Sequence, residues 1–266
     1  MDTKEKISCF SIKRWQKWAI AIKVMPIVAI VAVLKYLSHI LGFEVMELNA
    51  LFTSLIGGTI FLIGFLISGV LSDYKESEKL PSDVAASLRT FYDDAYTISK
   101  AKNSQTALKF IEFQKSLITS LLDWFYKKER TRVMLKKISS MNEFFIDMDK
   151  EGVQPGYISK LKNEQNSLRK MLLRIDTIRD TSFIGSAYAI VETMRFLIIA
   201  GLLIIKIDPF YSSLFFTLLV TFLISYMFLL IRDIDDPFDF SVNGESGNEV
   251  SLKPIHDFES ELKNDL

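Results

Sequence analysis

Leu51 to Ser72 (LFTSLIGGTIFLIGFLISGVLS) runs 22 residues without one acidic or basic side chain. As an α-helix at 1.5 Å per residue this run is about 33 Å long, close to the ~30 Å hydrocarbon core of a bilayer. Lipid offers backbone N–H and C=O groups no partners, so an apolar run of this length is best satisfied as a membrane-crossing helix. Phe210 to Ile231 has the same property over another 22 residues. Two weaker candidates flank them in sequence. Trp18 to Phe43 is interrupted by Lys23 and Lys35 and carries Pro26 near its start. Lys23 is expected to snorkel to the nearby boundary, and Lys35, about 18 Å further along, to the opposite one. Phe183 to Ile205 holds Glu192 and Arg195 one helical turn apart, where they can neutralise each other.

The connections Glu44–Ala50 and Lys206–Pro209 are short, so the spans pair into two hairpins, 18–72 and 183–231. A basic start followed by an apolar stretch is also the form of a secretory signal. Here the apolar part continues past Lys35 with no small-x-small cleavage site, which favours a retained span. With 24% charged residues, a mean hydropathy of +0.23 requires charge and apolarity to occupy separate stretches. Residues 1–17 hold five Lys/Arg against two acids, 73–182 twenty against sixteen, and 232–266 three against ten. The first hairpin loop has Glu44 and Glu47 and no Lys or Arg. The positive-inside tendency therefore places both termini and the 73–182 domain in the cytoplasm of a multi-pass protein of the cell membrane, with Trp15 and Trp18 at the inner boundary.

Between the second and third spans the apolar residues take helical spacing in polar surroundings. Phe110, Phe113, Gln114, Leu117, Ile118, Leu121, Leu122 and Phe125 form one stripe, and Met134, Leu135, Ile138, Met141, Phe144, Phe145 and Met148 a second. Tyr157, Ile158, Leu161, Leu168, Met171, Leu172, Ile175 and Ile178 form a third. Breaks are expected at Lys79–Asp83, with Ser82 or Asp83 near a helix cap, and at Glu151–Gly156. The fold class is thus all-α: four transmembrane helices with a cytoplasmic domain of three or four helices inserted between spans two and three.

Much chemistry is excluded. The chain has no Walker loop, GxGxxG, GxSxG, HExxH or CxxC pattern, one cysteine (Cys9) and two histidines (His39 and His256). It does not read as an enzyme, which would need acids such as Asp93, Asp94 and Glu112 to converge. Zero net charge gives no field for nucleic acid. The basic run Lys127–Arg132 with Lys136 and Lys137 reads as a solvated face or a contact with anionic membrane lipid. No cofactor is expected apart from Ca²⁺, for which Asp233, Asp235, Asp236 and Asp239 are candidate ligands. Pairing or capping by the same acids is the competing reading. Small and hydroxylated residues crowd the second span: Thr53, Ser54, Gly57, Gly58, Thr59, Gly64, Ser68, Gly69 and Ser72, interleaved with Phe52, Phe61 and Phe65. Such a helix either packs closely against others or lines a pore, where bulky apolar residues form a dewetting constriction.

The layout of two spans, a helical domain and two more spans, followed by Asp235-Asp236-Pro237-Phe238, resembles the bestrophin-like membrane proteins. Further on, Val250-Ser251-Leu252-Lys253-Pro254-Ile255, leading into Phe258 and Leu262, matches the short apolar helix of their bacterial members. The resemblance implies a homo-oligomeric ion channel, a pentamer that conducts anions, with span two lining the pore. It makes Phe52, Ile56, Phe61 and Phe65 neck candidates, with Thr59 and Ser68 also pore-lining, and the tail is expected to wrap neighbouring subunits. Animal members carry a Ca²⁺ clasp after the fourth span, but here the acids mostly precede Pro237-Phe238 rather than follow it. A non-conducting membrane scaffold that binds a partner through its helical domain is the alternative.

Overall fold

The computed structural model describes residues 18–180, 185–240 and 249–264. Among these residues the chain forms nine helices: α1 Ala19–Ile40, α2 Ala50–Ser77, α3 Leu80–Lys102, α4 Gln105–Phe125, α5 Thr131–Lys150, α6 Pro155–Asp180, α7 Gly185–Ile204, α8 Phe210–Ile234 and α9 Lys253–Asn264. Four of the described segments, those holding α1, α2, α7 and α8, are long and apolar enough to cross a membrane. The molecule is therefore an all-α, multi-pass membrane protein. It divides into two compact units, one of residues 1–73 and 182–235, the other of 74–181 and 236–266.

In the first unit the inward faces of α2, α7 and α8 share one apolar core: Phe52, Ile63, Leu66, Val70, Val191, Ile198, Leu202, Ile224, Phe228 and Ile231. α8 buries Ser213, Thr217, Thr221 and Ser225, spaced by four, on one face. In lipid, where apolar surface alone gives no drive to associate, such small residues let backbones approach. α1 and α8 run antiparallel, since His39 at the end of α1 stacks on Phe210 at the start of α8 with ring centroids 4.0 Å apart.

A polar latch closes the end of this unit that carries the two hairpin loops. Lys35, expected to snorkel to a boundary, is instead fully buried. Its Nζ donates to the Ile205 carbonyl at 2.5 Å and pairs with Glu44 at 2.8 Å, while the Ser38 hydroxyl donates to the Leu203 carbonyl at 2.8 Å. The last carbonyls of a helix have no partners within it, and at membrane depth leaving them bare is costly. Lys35 thus acts as a cap for α7 rather than as an interfacial anchor. Burial works to raise the Glu44 carboxyl, but hydrogen bonds from Lys35 and His39 outweigh it and hold the group below its ordinary range. Met46–Glu47 and Ile205–Lys206 add a two-residue parallel bridge, too short to leave any alternation in the sequence.

The second unit is a bundle of α3, α4, α5 and α6 joined by α9. The three expected stripes point inward: Phe110, Leu117, Ile118, Leu121 and Phe125, then Met134, Ile138, Met141, Phe145 and Met148, then Leu161, Leu168, Leu172 and Ile175 are all buried in its core. The break expected at 151–156 is shorter, 151–154 between α5 and α6, because Pro155 and Gly156 open α6; Gly152 lies at φ +80°, a conformation that favours glycine. The break near Pro81 is narrower than expected. α3 begins at Leu80, with Lys79 in the cap position and no side-chain cap, so neither Ser82 nor Asp83 caps it. A further break separates α3 from α4: Asn103 is left-handed at φ 51° and the Ser104 hydroxyl accepts the Ala107 N–H at 3.0 Å.

The tail does not extend away from its own bundle. Leu252, Ile255, Phe258 and Leu262 enter the core, and Arg89 pairs with Glu261 while lying over the Phe258 ring. An amphipathic helix beside an apolar face of its own bundle buries its apolar side there.

Candidate functional site

Asn49 opens α2, its side-chain oxygen accepting the Phe52 N–H at 2.9 Å. From there the helix presents two faces. Phe52, Thr59, Ile63, Leu66 and Val70 are buried and recur at spacings of three, four and seven, the period of one helical face. The opposite face carries Ser54, Gly57, Gly58, Phe61, Gly64, Phe65, Ser68 and Ser72, all exposed. Phe61 is 75% and Phe65 66% exposed.

This division sorts the six residues singled out in the second span. Phe61, Phe65 and Ser68 share the uncovered face, whereas Ile56, half-buried, packs against the core of this unit. Phe52 and Thr59 do not belong with them. Phe52 is 8% exposed, and its ring lies against Gly201 of α7 so closely that a Cβ on Gly201 would meet it at 2.3 Å. Thr59 is 3% exposed, its hydroxyl donating to the Leu55 carbonyl at 2.9 Å. Both are on the core side because the helical period carries them there, a half-turn from Phe61.

The glycines distinguish packing from exposure. At Gly57, Gly58 and Gly64 an added Cβ would meet nothing within 4 Å among the described residues, so none of these residues packs against the glycines. Gly201 is the contrasting case, where the ring of Phe52 fills the missing side chain. Among the described residues, the small-residue face of α2 is therefore not a packing face.

The acids after the last span fall at the junction of the two units. Asp233 and Asp235 close the first unit, Asp236 and Asp239 open the second segment of the other, and Asp239 pairs with Lys127 at 2.6 Å. Among the described residues no three His, Cys, Asp or Glu side chains are grouped to hold a metal, whereas Ca²⁺ takes six to eight oxygens. The Pro-Phe motif beside them is structural. Phe238 is fully buried against Phe125, and the Pro237 carbonyl accepts the Val250 N–H at 2.9 Å, which brings the start of the α9 segment back onto the bundle.

The acids considered for catalysis are likewise dispersed in environment. Asp94 is buried and paired with Lys160 at 2.7 Å, while Asp93 and Glu112 are exposed. In the third span Arg195 pairs with Glu192 at 3.5 Å, as the spacing predicts, and also lies 4.6 Å from the centre of the Phe228 ring. Cys9 and Trp15 lie outside the described residues.

No protein-family model matches this chain, and no curated protein matches it by sequence. Its fold does have solved counterparts. A single-site variant of a bacterial bestrophin homologue from Klebsiella pneumoniae superposes with a TM-score of 0.72 at 16% identity, covering 91% of this chain and 98% of that one. A second variant of the same homologue gives 0.72 at 15% identity over 92% and 97%. A structure described only as a membrane protein gives 0.71 at 16% identity over 91% and 98%. Nearly the whole of each chain takes part, and the chain has a bestrophin-like fold.

Proposed function

We propose that this chain is the subunit of a homo-oligomeric, bestrophin-like ion channel in which the uncovered face of α2 lines the conduction path. The carrying observation is that a membrane-spanning helix leaves a whole Gly/Ser face bare, with open space over Gly57, Gly58 and Gly64. Hydroxyls at Ser54, Ser68 and Ser72 facing lipid would have only carbonyls of their own helix as partners, whereas facing a shared, water-filled axis they are also solvated. Phe61 and Phe65, one turn apart, form two stacked apolar rings in such an assembly, a constriction that passes ions only when wetted.

The resemblance adds a pentamer and anion conduction. The α2 face holds no ionisable side chain between 51 and 72, so selectivity rests on backbone dipoles and on groups beyond the span. Both termini and the second unit lie in the cytoplasm in this reading, following the distribution of Lys and Arg.

Purified oligomer reconstituted into liposomes is expected to release entrapped chloride above the rate of empty vesicles. Release equal to that of empty vesicles, from protein verified as oligomeric, contradicts the reading and leaves the non-conducting scaffold.

A further inference from the structure

The first unit contains a second feature, separate from the α2 face, at the end opposite the polar latch. Where the start of α1 meets the end of α8, Lys23 and Arg232 line a crevice of about 300 Å³ together with Ile20, Leu229 and Asp233. Lys23 lies one turn into α1 and Arg232 two residues before the end of α8, so both cations stand where spans leave the hydrocarbon. Asp233 takes part in an interaction of its own. Two cations and one carboxylate leave a single net positive charge in the crevice.

Along α1 the same ridge continues as Lys23, Ile27, Ile30 and Leu34, at helical spacings of four, three and four. The last three line an apolar groove of about 350 Å³ whose other wall is Phe196, Ile199 and Leu203 of α7. From Lys23 to Leu34 the helix rises about 17 Å, the depth of one leaflet of a ~30 Å core. Arg195 also borders this groove, but it is engaged by Glu192 and the Phe228 ring.

From this juxtaposition we infer a site for one anionic phospholipid of the leaflet on the side of the chain termini. Its phosphodiester lies between Lys23 and Arg232, and one acyl chain runs along the ridge of Ile27, Ile30 and Leu34. The net charge of the crevice matches a phosphodiester, which carries one negative charge, better than a free phosphate near two. Such a lipid fills the seam that α1 makes with α7 and α8, so the leaflet's composition acts on the packing of the spans.

The test uses the full chain in vesicles of equal parts phosphatidylglycerol and phosphatidylcholine, extracted gently, with retained lipid counted by native mass spectrometry. Wild-type protein retains phosphatidylglycerol in preference. At ~1 kcal/mol per cation near a membrane surface, the Lys23→Gln/Arg232→Gln variant is expected to lose that preference by roughly tenfold or more. Lys23→Arg keeps the preference, and so does Lys206→Gln, a charge removed at the far end of the same unit. Ile30→Trp, which fills the groove and leaves every charge in place, lowers retention of the lipid in protein of unchanged helical content. An undiminished preference in the double variant overturns the site, as does an equal loss in Lys206→Gln. Displacement of the lipid by inorganic phosphate at constant ionic strength assigns the crevice to free anion and overturns the lipid. Retention is read without ion flux, so a chain that fails to conduct leaves this result intact, and the reverse also holds.

Discussion

At the scale of single residues the second span turns on Phe52 and the pair Phe61 and Phe65. Phe52 occupies the space that Gly201 leaves empty. A Gly201→Ala substitution gains helix propensity yet drives a methyl group into that ring, and overpacking of this kind costs about 1–3 kcal/mol. Thermal unfolding in detergent is expected to fall by several degrees. Phe52→Leu in the same chain should recover most of the loss, and an additive double variant would show that the contact does not exist. Phe61→Ala and Phe65→Ala, by contrast, touch nothing in the core and should leave the melting temperature within a degree or two. In the channel reading each removes a ring from the constriction, so chloride release should rise roughly severalfold as the passage stays wetted more of the time. Unchanged release in both would remove these residues from the path.

At the scale of elements the polar latch decides how the two hairpins are held at their loop ends. Lys35→Met removes the side-chain donor to the Ile205 carbonyl and leaves Glu44 with His39 alone, and breaking a buried pair from one side costs about 3–5 kcal/mol. Pairing it with Glu44→Gln should restore part of the loss in a thermal melt. The same latch sets a pH dependence. Glu44 is held below its ordinary value of 4.5, so its contribution is fully present above that value and is lost as pH falls through the lower, folded one. Stability of the wild type should fall in acid, and Glu44→Gln should flatten part of that decline. A decline of the same size in Glu44→Gln would place the titrating groups elsewhere.

How much of this was legible follows from the kind of signal each feature leaves. The spans, the three stripes of the helical bundle and the glycine turn after α5 are periodic or local, and the sequence carries them directly. The fate of Lys35 is a contact across 170 residues, invisible to spacing, and the pattern predicts a snorkelling lysine instead. The capping pair Asn103-Ser104 was a local signal open to reading. The α2 face was half legible: its residue types stood out, but which of them point inward depends on Gly201, far along the chain.

At the scale of the whole molecule, all four spans of this bestrophin-like fold leave faces uncovered, and the one on α2 differs from the apolar others in its run of Gly and Ser. In the channel reading, copies arranged about an axis give that face water and one another. Cross-linking of the protein in its membrane should therefore capture a closed homo-oligomer, and a chain that remains monomeric at all concentrations would contradict this.

The most direct measurement is a scan of single cysteines along α2, in a chain carrying Cys9→Ser, with a charged, water-soluble thiol reagent. Positions Ser54, Gly57, Phe61, Phe65 and Ser68 should react, while Phe52, Thr59, Ile63 and Leu66 should not, giving a labelling period near 3.6 residues. No labelling anywhere in 54–68, or labelling without helical period, would mean that the bare face meets protein or lipid and not water.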